Sequence, residues 1–361
     1  MRIGIPREIK NHEYRVALTP EGVRELVAAG HEVRVERDAG AAVGFSSAAY
    51  RAAGARIADS PMAAWNADLV VKVKEPQAAE LERMREGSLL FCYLHLAAAP
   101  ELAVALAARG VAAIAFETVR GADGSLPLLA PMSAIAGRLA PQMGAQGLQL
   151  SNGGSGLLVP GLPGVPPAHI VIIGGGVVGL HATRIAVGLG ARVTLLDRDP
   201  APLQRVEAAL GARVESRLAS ADAIAQALKE ADIVIGAAQI PGRHAPRLIT
   251  LDHLKTMRPG SVLVDVAIDQ GGIAESSRAT SHSEPFFVES GVVHYCVPNM
   301  PGVVARTSTI ALAHAILPYV LKLALRGRDA LDDDPGFMAG LHIADKQIVH
   351  AGLKVEMAGT H

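Results

Sequence analysis

Read for hydrophobic periodicity, the chain divides into two successive series in which short apolar runs alternate with alanine-rich stretches of helical spacing. From residue 1 to about 125 the runs RIGIP, HEVRVE, LVVKVKEP, LLFCYLHL and VAAIAFETV are interleaved with PEGVRELVAAG, AAYRAAGA and ELAVALAARG. That alternation predicts an α/β unit around a mostly parallel sheet, since consecutive parallel strands need a crossover between them. Residues 131–150, PMSAIAGRLAPQMGAQGLQL, have apolar positions at helical spacing with Pro141 as their breaker, and the loop SNGGSG follows. A second series comes next: HIVIIGG, RVTLLDRD, ARVESRL, IVIGAAQ, SVLVDVAID and VVHYCVPNM. Beyond residue 300, TSTIALAHAILPYVLKLALRG reads as one or two helices with no strands of their own. Such helices must pack against something. Returning them to the first series gives a split substrate domain, 1–127 and a helical 305–361, into which a nucleotide-binding domain, 128–304 with its linker helix, is inserted. The expected fold class is α/β, two Rossmann-like doubly wound domains. No internal repeat is visible.

Composition narrows the function classes. Half of the 361 residues are apolar and 19 % are charged, which suits buried cores and excludes a disordered segment. Lys and Arg total 34 against 35 Asp and Glu, and no basic run stands out, so nucleic acid is not an expected partner. Cys92 and Cys296 lie in distant segments, which argues against a disulfide framework and for a reducing, cytoplasmic compartment. The start MRIGIPREIKNHEYRVALTP has no secretory h-region. The stretch GLLVPGLPGVPPAHIVIIGGGVVGL is broken by Pro160, Pro163, Pro166 and Pro167, so no membrane helix is expected there. No His or Cys pair has ligand spacing, so no metal is expected.

Gly174, Gly176 and Gly179 form G-x-G-x-x-G between the apolar run HIVII and the helical stretch GLHATRIAVGLG, with RVTLLD following. That strand, helix and second strand supply the context in which the motif binds a dinucleotide. Gly174 permits the tight turn, Gly176 lets backbone approach a pyrophosphate, and Gly179 lets helix and strand pack closely, while the helix N-terminus faces the phosphate charge. Asp197 ends the next strand roughly 20 residues on, where a carboxylate accepts the ribose hydroxyls and repels a 2′-phosphate. The expectation is NAD. Arg198 beside it is the feature that would leave some room for NADP.

Other chemistry-bearing residues sit at the ends of apolar runs: Arg15 in NHEYRVALTP, Lys74 in VVKVKEP, His95 in LLFCYLHL, and Asp269 in SVLVDVAIDQGG, followed by Gly271 and Gly272. Two cations, a histidine and a carboxylate suit a small anionic substrate, the cations holding a carboxylate and the other two moving protons. Taken singly, each has a plainer reading as a solvated Lys, a surface Arg pair or a bonded core His. Glu117 in FETV could join a structural cation site, or be solvated or paired.

The strings IGIPREIKNHEYRVALTP, VVKVKEP, YLHLA, FETV, LPLLAPMS, AGRLAPQMGAQ, VIIGGGVVG, DVAIDQGG and NMPGVVARTST run in one order over residues 1 to about 325. On them the chain resembles the alanine dehydrogenase family, within the wider group that includes the NAD-binding component of proton-translocating transhydrogenase. The resemblance implies reversible, NAD-dependent oxidative deamination of L-alanine to pyruvate and ammonium by a homo-oligomer, usually a hexamer. It implies that Arg15 and Lys74 bind the substrate carboxylate, that His95 protonates the carbonyl oxygen of pyruvate, and that Asp269 handles proton transfers at the amine or water. Asn299 would position nicotinamide and substrate, and Met132, Ser133 and Met300 would line the cleft. Val177, Val178 and Ile268 would join the glycines and Asp197 in holding NAD.

The chain departs from the family pattern at Ala134, where Glu is common, at Ser155 for Arg, at Pro298 for Ala, at Ala305 for Pro, and in the segment AAQIPGRHAP. Pro298 and Ala305 flank Asn299, so substrate preference is the property they would move. Three rivals remain in view. A transhydrogenase-type NAD(H) component would lack the His95 of YLHLA. A dehydrogenase of another amino or imino acid would need a polar partner for a long side chain, whereas Leu128, Leu129 and Met132 suit a methyl group. A non-catalytic NAD-binding protein would have no use for the full set of candidates.

Overall fold

The computed structural model describes residues 1–239 and 244–358, which leaves residues 240–243 of AAQIPGRHAP outside it. The chain splits into two compact units, one comprising Met1–Met132 with Val304–His361 and the other Ser133–Val303.

Among the described residues, fifteen strands follow in chain order. The first unit opens with β1 (Arg2–Ile5), β2 (Glu32–Glu36), β3 (Arg56–Ala58), β4 (Leu69–Val71), β5 (Leu89–Cys92) and β6 (Ala112–Ala115). The second holds β7 (His169–Ile173), β8 (Arg192–Asp197), β9 (Glu215–Leu218), β10 (Ile233–Gly236), β11 (Val262–Asp265), β12 (Phe286–Glu289) and β13 (Val292–Tyr295). β14 (Leu341–Ala344) and β15 (Gln347–Ile348) return to the first unit. Four helices matter for the site: α1 (Pro20–Ala28), α2 (Ala130–Gly147), α3 (Val177–Gly188) and α4 (Ala305–Arg326).

The central strands are apolar on both faces, as a parallel sheet covered on both sides requires, and β7, HIVII, is buried at every position. In the first unit the strands lie in the order β15-β14-β6-β5-β4-β1-β2-β3, in the second β12-β13-β11-β10-β7-β8-β9. Both are doubly wound. The direction of winding reverses between β1 and β4 in one sheet and between β7 and β10 in the other, and such switch points are where loops part at the carboxyl ends of strands. Thr19 caps α1 by accepting the N–H of Gly22, with Pro20 at its first position.

The last segment is not purely helical, contrary to the sequence expectation. β14 pairs antiparallel with β6, and β15 folds back on β14. The turn between them is made by Asp345 and Lys346, both left-handed at φ 51° and 61°. Two consecutive left-handed residues are what a tight hairpin turn demands, but Asp-Lys lacks the glycine that normally advertises one, and strands this short show no period. The stretch before it forms the single helix α4, which carries Pro318 inside it, and α2 likewise continues through Pro141. By length and composition alone, the region Met300–Leu331 could cross a membrane; 44 % of its most apolar window is buried within the chain.

Candidate active site

Each unit presents its chemistry at the carboxyl ends of its parallel strands. In the first unit, Lys74 follows β4 and His95 follows the adjacent β5, and Lys74 Nζ lies 3.4 Å from His95 Nε2. Arg15 sits in the connection from β1 to α1, 2 % exposed. Burying a guanidinium needs a partner, and Glu13, also buried, supplies it. Arg15 Nε donates to Glu13 Oε1 at 2.7 Å and Nη2 to Oε2 at 2.5 Å, while Nη1 points to Met132 Sδ at 3.1 Å. Burial alone would raise the Glu13 carboxyl, but the hydrogen bonds and charge of Arg15, together with Lys74, hold it below the usual range, so the pair is ionised. Two cations therefore act on one carboxylate beside His95.

Beneath them lies a second buried charge cluster. Lys72 donates to Glu80 at 2.8 Å and lies 3.4 Å from Glu8, and all three are buried. Glu8 Oε1 accepts the N–H of Val73 at 2.6 Å, which ties down the backbone between Lys72 and Lys74. Burial pushes the Glu8 carboxyl up to about 7, against the pull of Lys72.

The second unit carries the glycine turn. Gly174 follows β7 at φ +107° and donates its N–H to Leu196, and a Cβ there would meet the Ala237 backbone at 2.6 Å. At Gly179 a Cβ would fall 1.8 Å from the Gly174 carbonyl oxygen, so α3 can pack on the turn only with glycine there. Gly176 differs: it is the N-cap of α3, no side chain caps it, and a Cβ would meet nothing within 4 Å. The helix thus offers the uncapped N-terminal amides of Val177 and Val178 and an open approach, which fits a pyrophosphate. Asp197, at the end of β8, reaches back to this turn and accepts the N–H of Gly175 at 2.6 Å and of Asp199 at 2.9 Å. That fixes the carboxylate beside the glycines. Arg198 is exposed.

Asp269 lies on the 3-10 turn Val266–Gln270 after β11, itself exposed, next to buried Ile268. The turn is held by Asp265, fully buried, which accepts from Ala267 N at 3.1 Å, Ile273 N at 2.7 Å and Ser277 Oγ at 2.5 Å. Burial raises the Asp265 carboxyl, and its donors pull it back. Gly271 and Gly272 are left-handed, and a Cβ on Gly272 would strike Asp265 Oδ2. Asn299 follows β13 in a left-handed conformation, φ 58°, and its carbonyl accepts from Gly302; Met300 beside it is buried. Ser133 lies on the first turn of α2, half-buried. Of the altered positions, Ser155 bonds through its N–H to Gly260, whereas Ala134, Pro298 and Ala305 are half-buried. Among the described residues no group of three or more His, Cys, Asp or Glu is placed to hold a metal ion.

Sequence reading overlooked the residues that hold the candidates in place. Glu13, Glu8 and Asp265 were legible only as charged residues near motifs, since nothing in their spacing says which backbone or cation they reach. Glu117, offered as a cation ligand or a paired carboxylate, proves paired, to the backbone N–H groups of Leu94 and His95.

Comparison with known proteins bears on the whole chain. The sequence models of the alanine dehydrogenase/PNT N-terminal and C-terminal domains match residues 4–136 and 140–351. An alanine dehydrogenase of Halomonas elongata is 53 % identical over 352 residues, 97 % of this chain and 95 % of that protein, and one of Bacillus subtilis is 50 % identical over 97 % and 93 %. Among solved structures, an L-alanine dehydrogenase superposes with a TM-score of 0.97 at 48 % identity over 100 % of both chains. A transhydrogenase from Sinorhizobium meliloti superposes with 0.84 at 28 % identity, over 97 % of this chain and 99 % of that one.

Proposed function

This chain belongs to the alanine dehydrogenase/PNT family, and from that premise we propose that it catalyses the NAD-dependent oxidative deamination of L-alanine: L-alanine, NAD+ and water give pyruvate, ammonium, NADH and a proton, reversibly. The observation that carries the reading is the pairing of Lys74 with His95, 3.4 Å apart beside the buried Arg15, in a chain that shares about half its residues with alanine dehydrogenases over nearly its full length.

Bound NAD+ supplies the hydride acceptor for Cα. The rest is the work of side chains. Arg15 and Lys74 hold the substrate carboxylate, and Glu13 fixes the direction of the guanidinium. His95 holds and returns the proton at the oxygen that becomes the pyruvate carbonyl, a task for which an imidazole, with one donor and one acceptor nitrogen, is suited. Asp269 takes the protons released at the amine and the attacking water. Met132 and Asn299 position the substrate. The glycine turn, Val177, Val178, Asp197, Ile268, Ser133, Asn299 and Met300 hold the dinucleotide, with Asp197 selecting NAD over its 2′-phosphate relative. Substrate handling is assigned to the unit of residues 1–132 and 304–361, cofactor binding to the other.

The test is NADH formation with a panel of L-amino acids, run in reverse with pyruvate and ammonium, alongside His95→Ala and Asp269→Asn. Turnover with L-alanine reduced to a small residual rate in both variants supports the reading. Turnover only with a larger amino acid would move the substrate and implicate the Pro298 loop, and no turnover despite tight NADH binding would replace it with a partner-dependent NAD(H) component. We place the enzyme in the cytoplasm as a homohexamer; a monomeric mass by light scattering would remove the second statement.

A further inference from the structure

We propose that Glu117 is the positioning residue for His95, its carboxylate clamping the backbone of the turn that carries the imidazole. The proposal deepens the reading above and rests on the proton-transfer role given there to His95.

β5 leaves the sheet after Cys92. The N–H of Tyr93 still finds the Val73 carbonyl at 3.0 Å, but the next two donors, on Leu94 and His95, point past the end of the strand. Both converge on Glu117. Leu94 N lies 3.2 and 3.3 Å from its two oxygens, and His95 N lies 2.7 Å from Oε1. The sheet explains the meeting: β5 and β6 are parallel neighbours with Cys92 opposite Ala115, so the 3-10 turn Phe116–Thr118 comes level with the His95 turn.

His95 is left-handed, φ 48° and ψ 36°, a conformation that non-glycine residues keep only when their surroundings over-determine it. Here its N–H is held by Glu117 and its carbonyl accepts the N–H of Ala98 at 3.0 Å. The imidazole plane is set separately. Tyr93 stacks on it with a 7° interplanar angle and 5.9 Å between centroids, and Tyr93 is itself fixed by its hydroxyl donating to Leu128 O at 2.6 Å. Phe116, which directly precedes Glu117, packs edge-on against Tyr93 at 5.0 Å. Clamp and stacking ring therefore form one block, and Lys74 Nζ meets the far nitrogen of the imidazole at 3.4 Å. Without the clamp, the turn relaxes toward the right-handed region and the ring leaves the point at which it meets the substrate. Two donors converging on one side chain also explain a carboxylate here: glutamine would offer one acceptor oxygen and turn an NH2 group toward N–H.

The experiment takes Glu117→Ala and Glu117→Gln, each alone and combined with His95→Ala, and reads kcat and KM for L-alanine, NADH affinity, and the NMR titration of the histidine rings, with His95 assigned by its loss in His95→Ala. Expected for Glu117→Ala are a kcat lowered on the order of 100-fold, unchanged NADH affinity, a His95 ring resonance displaced from its place in the parent, and no further loss when His95 is already Ala. Glu117→Gln falls between. A kcat within about twofold of the parent with an unmoved His95 resonance overturns the proposal. So does an equal loss in the His95→Ala background, the mark of a merely structural role. If Glu117→Ala does not fold, Glu117→Gln decides by the same two readouts. Should the parent chain itself fail to oxidise L-alanine, the functional reading falls, while the His95 resonance still decides the clamp.

Discussion

The glycine turn allows structure and ligand binding to be separated by three single substitutions. Gly179→Ala puts a Cβ 1.8 Å from the Gly174 oxygen and 2.9 Å from its carbon, backbone atoms that cannot rotate aside. To restore a normal carbon–oxygen separation, α3 must retreat from the turn by roughly 1.5 Å. Overpacking of this kind costs about 3 kcal/mol, the upper part of the usual range, because both surfaces are backbone. That should lower the melting temperature of the second unit by about 6–12 °C. The same retreat draws the Val177 and Val178 amides away from the phosphate position and should weaken NADH binding by about 10- to 100-fold, at 1.4 kcal/mol per tenfold. Gly176→Ala has the opposite profile, since a Cβ there meets no protein atom within 4 Å: melting stays unchanged and only binding weakens. Gly188→Ala, at the far end of the same helix and equally open, changes binding not at all and gains up to about 1 kcal/mol of helix propensity. Calorimetry and NADH fluorescence titration read both axes. Melting and binding of Gly179→Ala indistinguishable from the parent would refute the packing argument, and a Gly176→Ala destabilised as much as Gly179→Ala would refute the claim that the open side faces a ligand.

Three further outcomes are expected. Glu13→Ala leaves the Arg15 guanidinium buried without its partner and should cost about 3–5 kcal/mol in urea denaturation, whereas Glu13→Gln, keeping one acceptor, should cost less; equal, negligible losses would mean that the pair is not what orients Arg15. Glu8, with a carboxyl raised to about 7 in the fold, keeps its proton where the unfolded chain has lost it, so it should contribute stability that is full below about pH 4.5 and is lost as pH rises through 7, on the order of 3 kcal/mol; Glu8→Gln should flatten that limb between pH 5 and 8. His342 is held down to about 4, first by burial, so the fold resists its protonation and stability should fall as pH drops from about 6.5 toward 4; His342→Gln, followed by urea denaturation across that range, should reduce the slope.

How much of this was legible in the sequence depends on the range of the interaction. The glycine turn, the helical stretch that becomes α1 and the buried strands were visible because their causes are local: a backbone conformation, a helical period, an apolar run. Lys74 and His95 were recognisable as strand-end residues, but that they meet follows from β4 and β5 being neighbours, which no pattern within either strand states. The β14–β15 hairpin was missed because its pairing partner, β6, lies far away in sequence and its turn carries no glycine. The roles of Glu13, Asp265 and Glu117 were invisible for a further reason, although Glu117 itself stood out as a carboxylate that could be paired. Each works through a hydrogen bond to a backbone amide or a cation whose position is set only once the sheet has formed, so residue type and spacing carry no trace of it.

The return of the chain to β6 also bears on the order in which the protein is made. The second unit is one continuous segment and can close its sheet as soon as it leaves the ribosome. The first unit cannot: β6 exposes an unpaired edge until Leu341 and Ile343 arrive to pair with Ile114 and Ala113, after the whole inserted unit has been synthesised. For that interval the nascent protein carries a finished second unit and an unfinished first sheet, and the open edge of β6 is where chaperone capture or misassociation with another nascent chain would begin.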